Sequence, residues 1–298
     1  MTTAAPPRSK LQESWAYIKW FYNPAGKLSA SEIYELVSTR SFSRDGLYIN
    51  LGYWKDARDI DKACRDMARL VARTAEFRPS DKVVDVGFGF GDQDMLWVDE
   101  FDVAHITGLN ITKSQVALAR ERVKERGLTE RIELLEASAT QMPLPKAAFD
   151  KVVGVECAFH FDTREDFFRE AMRVLKPGGR LALADVIARD PVEGKFARYM
   201  QKQTWNSFLQ KYSVPAANTD NRESYAAKLT AAGFTNVRVT SIWDDVYPGL
   251  HNYMKTEPEM LKRFHPLARF PYYLTLYFDP KSVFSAYDYV IASADKPA

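Results

Sequence analysis

Five short runs rich in branched apolar residues, "KVVDV" (82–86), "HITGLN" (105–110), "RIELLEA" (131–137), "KVVGVE" (151–156) and "RLALADVI" (180–187), alternate with longer stretches of helical periodicity. Consecutive strands joined through helices lie parallel, so this alternation confines the segment to βαβ units around a parallel sheet. In "TKSQVALARERVKERG", Thr112 is placed to cap a helix with Gln115 in the capping-box position, and Gly127 to stop it in the left-handed conformation. "TREDFFREAMRVLKPGG" (163–179) puts Phe167, Phe168, Ala171, Met172, Val174 and Leu175 near helical spacing before a Pro-Gly-Gly turn.

After residue 190 the pattern changes. "KFARYMQKQTWNSFLQKY" predicts an aromatic-rich helix, and "NRESYAAKLTAAGF" a helix that Gly233 ends before the strand "NVRVTSIW". A second aromatic stretch, Tyr247 to Phe278, separates that strand from a last one, "FSAYDYVIASA" (284–294). The chain thus divides into a loose tail (1–10), a helical N-terminal lid segment (11–79) and an α/β core (80–298) with cap insertions at about 190–220 and 245–282.

Composition narrows the function. With 298 residues, 46% of them hydrophobic, the chain can bury a full core. Its 41 basic and 39 acidic side chains leave a net charge of +2, too little to draw nucleic acid or an anionic lipid surface by field alone. Cys64 and Cys157 form neither a disulfide framework nor a metal spacing. With no secretory h-region and no run of 18 apolar residues, a cytoplasmic protein without signal peptide or membrane span is expected. Nothing in the composition fixes the number of subunits, a homodimer included.

The first strand runs into "VVDVGFGFGDQD" (83–94), where Gly87, Gly89 and Gly91 let the backbone turn tightly and approach a ligand. The same glycines would also serve a purely structural tight turn. A dinucleotide fingerprint needs G-x-G-x-x-G and a phosphate loop needs G-K-[ST]; neither is present. Asp92 and Asp94 instead put acid where a pyrophosphate would sit, which disfavours a nicotinamide oxidoreductase.

An apolar strand, an acidic residue and G-x-G-x-G, here Val83, Val84, Asp85, Gly87, Gly89 and Gly91, resemble the first motif of the class I S-adenosylmethionine-dependent methyltransferases. "MPLPKAAFDKVV" (142–153) and "LKPGGRL" (175–181) resemble that family's approaches to strands four and five, and the element order agrees from residue 47 to 294. The resemblance implies a Rossmann-like, mostly parallel seven-stranded sheet with an antiparallel C-terminal strand, and S-adenosylmethionine as cofactor. It implies that Asp85 and the three glycines form the cofactor turn, that Asn110 faces the ribose hydroxyls, and that Ser138 and Ala139 meet the adenine. In "INLGYWKDA" (49–57), Tyr53 and Trp54 are candidates for the methionine end, where a sulfonium is attracted to an aromatic face, or anchors of the loop to the core.

The reacting group should follow strand four, in "VECAFHFDTRED" (155–166). His160 is a candidate base for a hydroxyl, or a packed histidine. Glu156 ends a buried strand and so must be paired, bind the cofactor amino group or accept a proton. Among the cap aromatics, Tyr199, Trp205, Phe208 and Tyr273 are candidates to meet an apolar substrate, most of the other rings forming the cap's own core. Lys195, Arg198 and Lys202 share a helical face that is either solvated or an anion site, and Mg²⁺ enters only if the substrate is a diphosphate. The expectation is a methyltransferase of a small apolar metabolite, leaning to C-methylation of an isoprenoid through Glu156. O-methylation with His160 as base is the alternative, and a non-methylating binding protein a further one.

Overall fold

The computed structural model describes residues 10–22, 28–37, 43–257, 261–262 and 266–298. The expected loose tail, residues 1–10, lies outside the described residues apart from Lys10. Three helices precede the sheet: α1 (Lys10–Tyr22), α2 (Ala30–Val37) and α3 (Ile60–Ala75). The core alternates β1 (Lys82–Val86), α4 (Asp92–Phe101), β2 (His105–Asn110), α5 (Lys113–Glu125), β3 (Ile132–Glu136), β4 (Phe149–Val155), α6 (Arg164–Val174) and β5 (Leu175–Ala188). Then follow α7 (Lys195–Lys211), α8 (Arg222–Ala231), β6 (Thr235–Ser241), α9 (Trp243–Thr256), α10 (Pro266–Thr275) and β7 (Tyr287–Asp295).

The seven strands form one sheet in the order β3-β2-β1-β4-β5-β7-β6, with β7 antiparallel to both neighbours. In β1, four consecutive residues, Val83 to Val86, are buried, as a central parallel strand covered on both faces requires. Edge strand β6 shows no buried residue. Because the chain moves from β1 outward to β3 and then crosses back to β4, the carboxyl ends of β1 and β4 flank a topological switch point.

All seven expected strands are present. The fifth is longer than expected because Leu175 already pairs with Phe149, ahead of an irregularity between Phe149 and Lys151. Helix α3 departs from the expected lid role: Ile60, Cys64, Met67, Ala68, Val71 and Ala75 are buried at helical spacing, and the helix lies against β4 and β5 as part of the core. Gly127 does take a positive φ (66°) at the end of α5. The Thr112–Gln115 capping box does not form: Thr112 makes no side-chain cap, and Gln115 is drawn to Asn110. Among the described residues no helix is long and apolar enough to cross a membrane.

Helix α3 starts on Asp59, whose Oδ1 accepts from Lys62 N at 2.8 Å. Asp59→Ala leaves that donor without its cap and should cost about 1 kcal/mol, read as a fall of a few degrees in thermal melting with cofactor affinity unchanged.

Candidate active site

The strand order sets the residues that follow β3, β2, β1 and β4 side by side along one sheet edge, in the sequence Ser138, Asn110, Gly87, Glu156. A cavity of about 200 Å³ runs along this edge, lined by Gly87, Gly89, Asn110, Ser138, Ala139, Glu156 and His160. Tyr34 of α2 and the 47–50 segment complete its wall.

The glycine turn fits its purpose sterically. Gly87 sits at φ +73°, and a Cβ there would lie 2.5 Å from Cys157 Cβ. Gly89, at φ +58°, carries the turn past Ile49, whose Cδ1 would be 3.3 Å from an added Cβ. Gly91 and Asp85 do not line the cavity. Gly91 starts α4 in the left-handed conformation, and Asp85 is fully buried, accepting from Gln93 Nε2 at 2.7 Å, so that it positions a cavity-wall side chain instead.

The acidic guard is arranged differently from the expectation. Asp92 lines the cavity but is neutralised by Arg122, at 2.5 and 2.8 Å, and its Oδ1 also accepts from Leu47 N. Asp94 is completely buried beside Asp85. Burial, then each other's charge, pushes the Asp85 carboxyl up, and burial carries Asp94 up to about 7. No N–H donor reaches Asp85 Oδ1 or either oxygen of Asp94. Burial and the closeness of the two carboxyls together disfavour their simultaneous ionisation. Among the described residues the cavity wall carries three carboxylates, Asp92, Glu156 and Asp162, and no lysine or arginine.

At the β2 end, Asn110 Oδ1 accepts from Thr112 N at 3.0 Å and its Nδ2 donates to Gln115 Oε1 at 2.8 Å. Gln115 Nε2 is left buried on this wall with no partner, a donor available to a ligand. Next to it, Ser138 Oγ meets Thr140 Oγ1 at 2.9 Å and keeps acceptor capacity.

At the β4 end, Glu156 adopts φ +52° and Oε1 accepts from Leu51 N and from Tyr289 Oη, both at 2.6 Å. Burial nonetheless raises its carboxyl to about 7. The 3₁₀ turn Ala158–His160 follows. Its imidazole is held by burial down to about 3, so it is neutral, and Nε2 meets Tyr34 Oη at 2.9 Å. Phe159 packs against its ring with centroids 4.1 Å apart. Tyr34, from a helix before the motif region, is a wall residue that nothing in the sequence pattern marked.

Several expected residues are elsewhere. Tyr53 donates to Asp245 and Trp54 Nε1 to Leu51 O, and Trp54 stacks near Tyr253; neither lines the cavity, and both tie the loop to α9. Trp205 and Phe208 stack on each other (5.3 Å) behind Phe159, Tyr199 is exposed and Tyr273 packs on the core. None of the four reaches the cavity wall. Lys195, Arg198 and Lys202 all lie on the exposed surface of α7.

The three features that the cavity combines, a glycine turn that any Cβ would fill, a carboxylate-bearing wall without cations and a spare amide donor, suit a cationic, phosphate-free cofactor with hydroxyls. A methyltransferase-domain family model matches residues 84–183. Over 97% of this chain and 98% of the relative, the sequence is 35% identical to erythromycin 3''-O-methyltransferase of Saccharopolyspora erythraea. Among solved structures, the [4+2]-cyclase SpnF superposes with a TM-score of 0.68 at 23% identity, covering 91% of this chain and 98% of that one. Geranyl diphosphate C-methyltransferase from Streptomyces coelicolor A3(2) superposes with a TM-score of 0.63 at 17% identity, covering 80% and 82%. At these identities both share the fold and no more. The chain belongs to the class I S-adenosylmethionine-dependent methyltransferases. It is a small-molecule methyltransferase, with S-adenosylmethionine as methyl donor.

Two outcomes are expected. Gly87→Ala combines a left-handed φ with a Cβ inside contact distance of Cys157, costing at least ~2 kcal/mol, and calorimetric S-adenosylmethionine binding should weaken more than about tenfold if the turn has to open. Glu156 binds a proton between pH 4.5 and 7 that the unfolded chain does not, so it lowers stability as pH rises across that window. Glu156→Gln removes this slope: from pH 5 to 7 the melting temperature of the native protein should fall relative to the variant, and the gap should stay constant above pH 8.

Proposed function

We propose that this enzyme transfers the methyl of S-adenosylmethionine to a hydroxyl oxygen on a bulky natural product of the macrolide-glycoside type. The observation that carries this reading is His160: a half-buried, neutral imidazole on the wall after β4, near Glu156 and bonded to Tyr34. A hydroxyl must lose its proton as it is methylated, and only a group that is unprotonated beforehand can take it.

In this reading, Gly87 and Gly89 leave room for the amino-acid part of the cofactor, Asn110 and Gln115 hold the ribose, and Ser138 and Ala139 meet the adenine. When bound, the cofactor would supply an electrophilic methyl on a sulfonium whose positive charge would be lost on transfer. As the oxygen–carbon bond forms, His160 takes the hydroxyl proton, so one positive charge is replaced by another on the imidazole. The burial that pulls this ring down opposes adding a charge to the cavity but not relocating one. Tyr34 Oη is bonded to Nε2 at 2.9 Å, and in this reading the substrate hydroxyl reaches that nitrogen by displacing it.

The expectation of C-methylation through Glu156 and the cap rings gives way: Glu156 Oε1 is engaged by Leu51 and Tyr289, and among the described residues Tyr199, Trp205, Phe208 and Tyr273 stand away from the wall. A wall with carboxylates and, among the described residues, no lysine or arginine also disfavours an isoprenoid diphosphate. The full-length similarity to an erythromycin O-methyltransferase supports oxygen as the acceptor.

The test is incubation with S-adenosylmethionine and a panel of macrolide glycosides carrying free hydroxyls, with geranyl diphosphate alongside, and assignment of the methylated atom by NMR. Methyl on oxygen is expected, with His160→Ala lowering kcat by about 10²–10⁴-fold while cofactor affinity holds. Methylation of geranyl diphosphate at carbon, or full turnover by His160→Ala, would overturn the reading.

A further inference from the structure

His160 sits in a turn of only three residues, closed by His160 N to Cys157 O at 3.0 Å and Phe161 N to Ala158 O at 3.2 Å. The carbonyls on either side of it, those of Phe159 and Phe161, both accept from one side chain: Asn218 Nδ2, at 3.0 and 2.7 Å. Asn218 belongs to a short turn between α7 and α8 and is completely buried. Its Oδ1 accepts from Arg164 N at 2.9 Å, so one amide spends both N–H groups on the shoulders of the histidine turn and its oxygen on the first residue of α6.

Asn218 is itself held. Arg164, also fully buried, donates from Nη1 to Asn218 O and to Asp220 Oδ2, from Nε to Asp185 Oδ2 at 3.0 Å and from Nη2 to Val186 O at 2.8 Å. Tyr225 Oη donates to the same Asp185 oxygen. The guanidinium thus joins β5 and the segment before α8 into one rigid seat, and the amide of Asn218 carries that rigidity to the backbone around His160. Buried charge of this kind persists only when it is well partnered, and here all three guanidinium nitrogens of Arg164 donate, to two carboxylates and two carbonyls.

We infer that Asn218 is a positioning residue for His160, fixing the base against the cavity wall through the two carbonyls that flank it, with Arg164 fixing Asn218. The inference rests on the reading of His160 as the base. Reaction geometry tolerates little error: a displacement of about 1 Å can cost on the order of 10²-fold in rate. Loss of the amide donors frees the turn to shift while the glycine turn and the ribose end of the cavity are untouched.

The variants are Asn218→Ala and the near-isosteric Asn218→Asp, which keeps an oxygen for Arg164 N but offers at most one donor to the two carbonyls. The full-length protein is labelled at histidine, the His160 ring signals are assigned by their loss in His160→Ala, and the ring is titrated by NMR in the presence of S-adenosylhomocysteine. Facing the ring are Tyr34 on Nε2, Phe159 and Tyr212 on its sides and the Arg164 charge behind the turn. Expected are a ring titration shifted upward by at least one pH unit in both variants, S-adenosylhomocysteine affinity within threefold of native, and turnover of a macrolide glycoside reduced tenfold or more, with no further loss when combined with His160→Ala. An unshifted ring with native turnover overturns the proposal, as does failure of both variants to fold, which would make the network structural. If His160→Ala keeps full turnover the base reading falls, and the ring titration alone then decides whether Asn218 positions the turn.

Discussion

Strands β1 and β4 run parallel and adjacent, yet the chain leaves them in opposite directions along the sheet, and the gap this reversal opens is where the functional side chains gather. A helix following β1 cannot cover that gap, because it packs towards β2, and the turn after β4 packs towards β5. Backbone must therefore line the opening, and backbone can approach a ligand there only without a Cβ. Cys157 makes the constraint mutual: its side chain, directly after β4, fills the space that a side chain at residue 87 would need and donates to Val86 O at 3.0 Å. The two strand ends are thereby fixed relative to each other by one glycine and one thiol.

Charge is handled in the same economical way. The carboxyls nearest the opening are either tied to a guanidinium, as Asp92 is to Arg122, or kept from ionising by burial, as with Asp85, Asp94 and Glu156. The wall of this opening thus carries Glu156 close to its point of ionising, with Asp85 and Asp94 raised by burial behind it. A cation entering it favours their ionised forms, so cofactor binding and proton release are linked by elementary electrostatics. Among the described residues no lysine or arginine on the wall would compensate a phosphate, in keeping with a phosphate-free cofactor.

The strands and the cofactor turn were legible in the sequence because each is a local pattern: apolar runs of strand length, glycines at fixed offsets, a Pro-Gly-Gly turn. Asn110, Ser138 and Ala139 were named through the family resemblance rather than through a local pattern, and all three line the cavity. What was not legible depends on distant packing. Tyr53 and Trp54 follow the right segment, but Trp54 is buried between Leu51 and Tyr253, so the neighbouring Tyr48 and Asn50 face the cavity instead. The cap aromatics were overread because aromatic density signals burial without saying against what. Gln115 looked like a capping residue by spacing alone, whereas the buried Asn110, five residues earlier, offers a better partner. Tyr34 and Asn218, 126 and 58 positions from His160 in the chain, leave no periodic trace at all.

The displaced aromatics still matter, one layer back. Phe208 stacks between Trp205 and Tyr212 and touches Phe159, whose ring lies on His160, so α7 presses a continuous apolar wedge against one side of the histidine turn. On the other side the contacts are polar and directional, from Asn218 to the backbone and from Tyr34 to the ring. Apolar packing resists compression but is indifferent to sliding, since dispersion changes little with lateral position. Hydrogen bonds to two carbonyls resist sliding and rotation together. Neither alone would hold an imidazole within the narrow tolerance that proton transfer demands, and their division of labour gives the rings of α7 a role although, among the described residues, none of them lines the cavity.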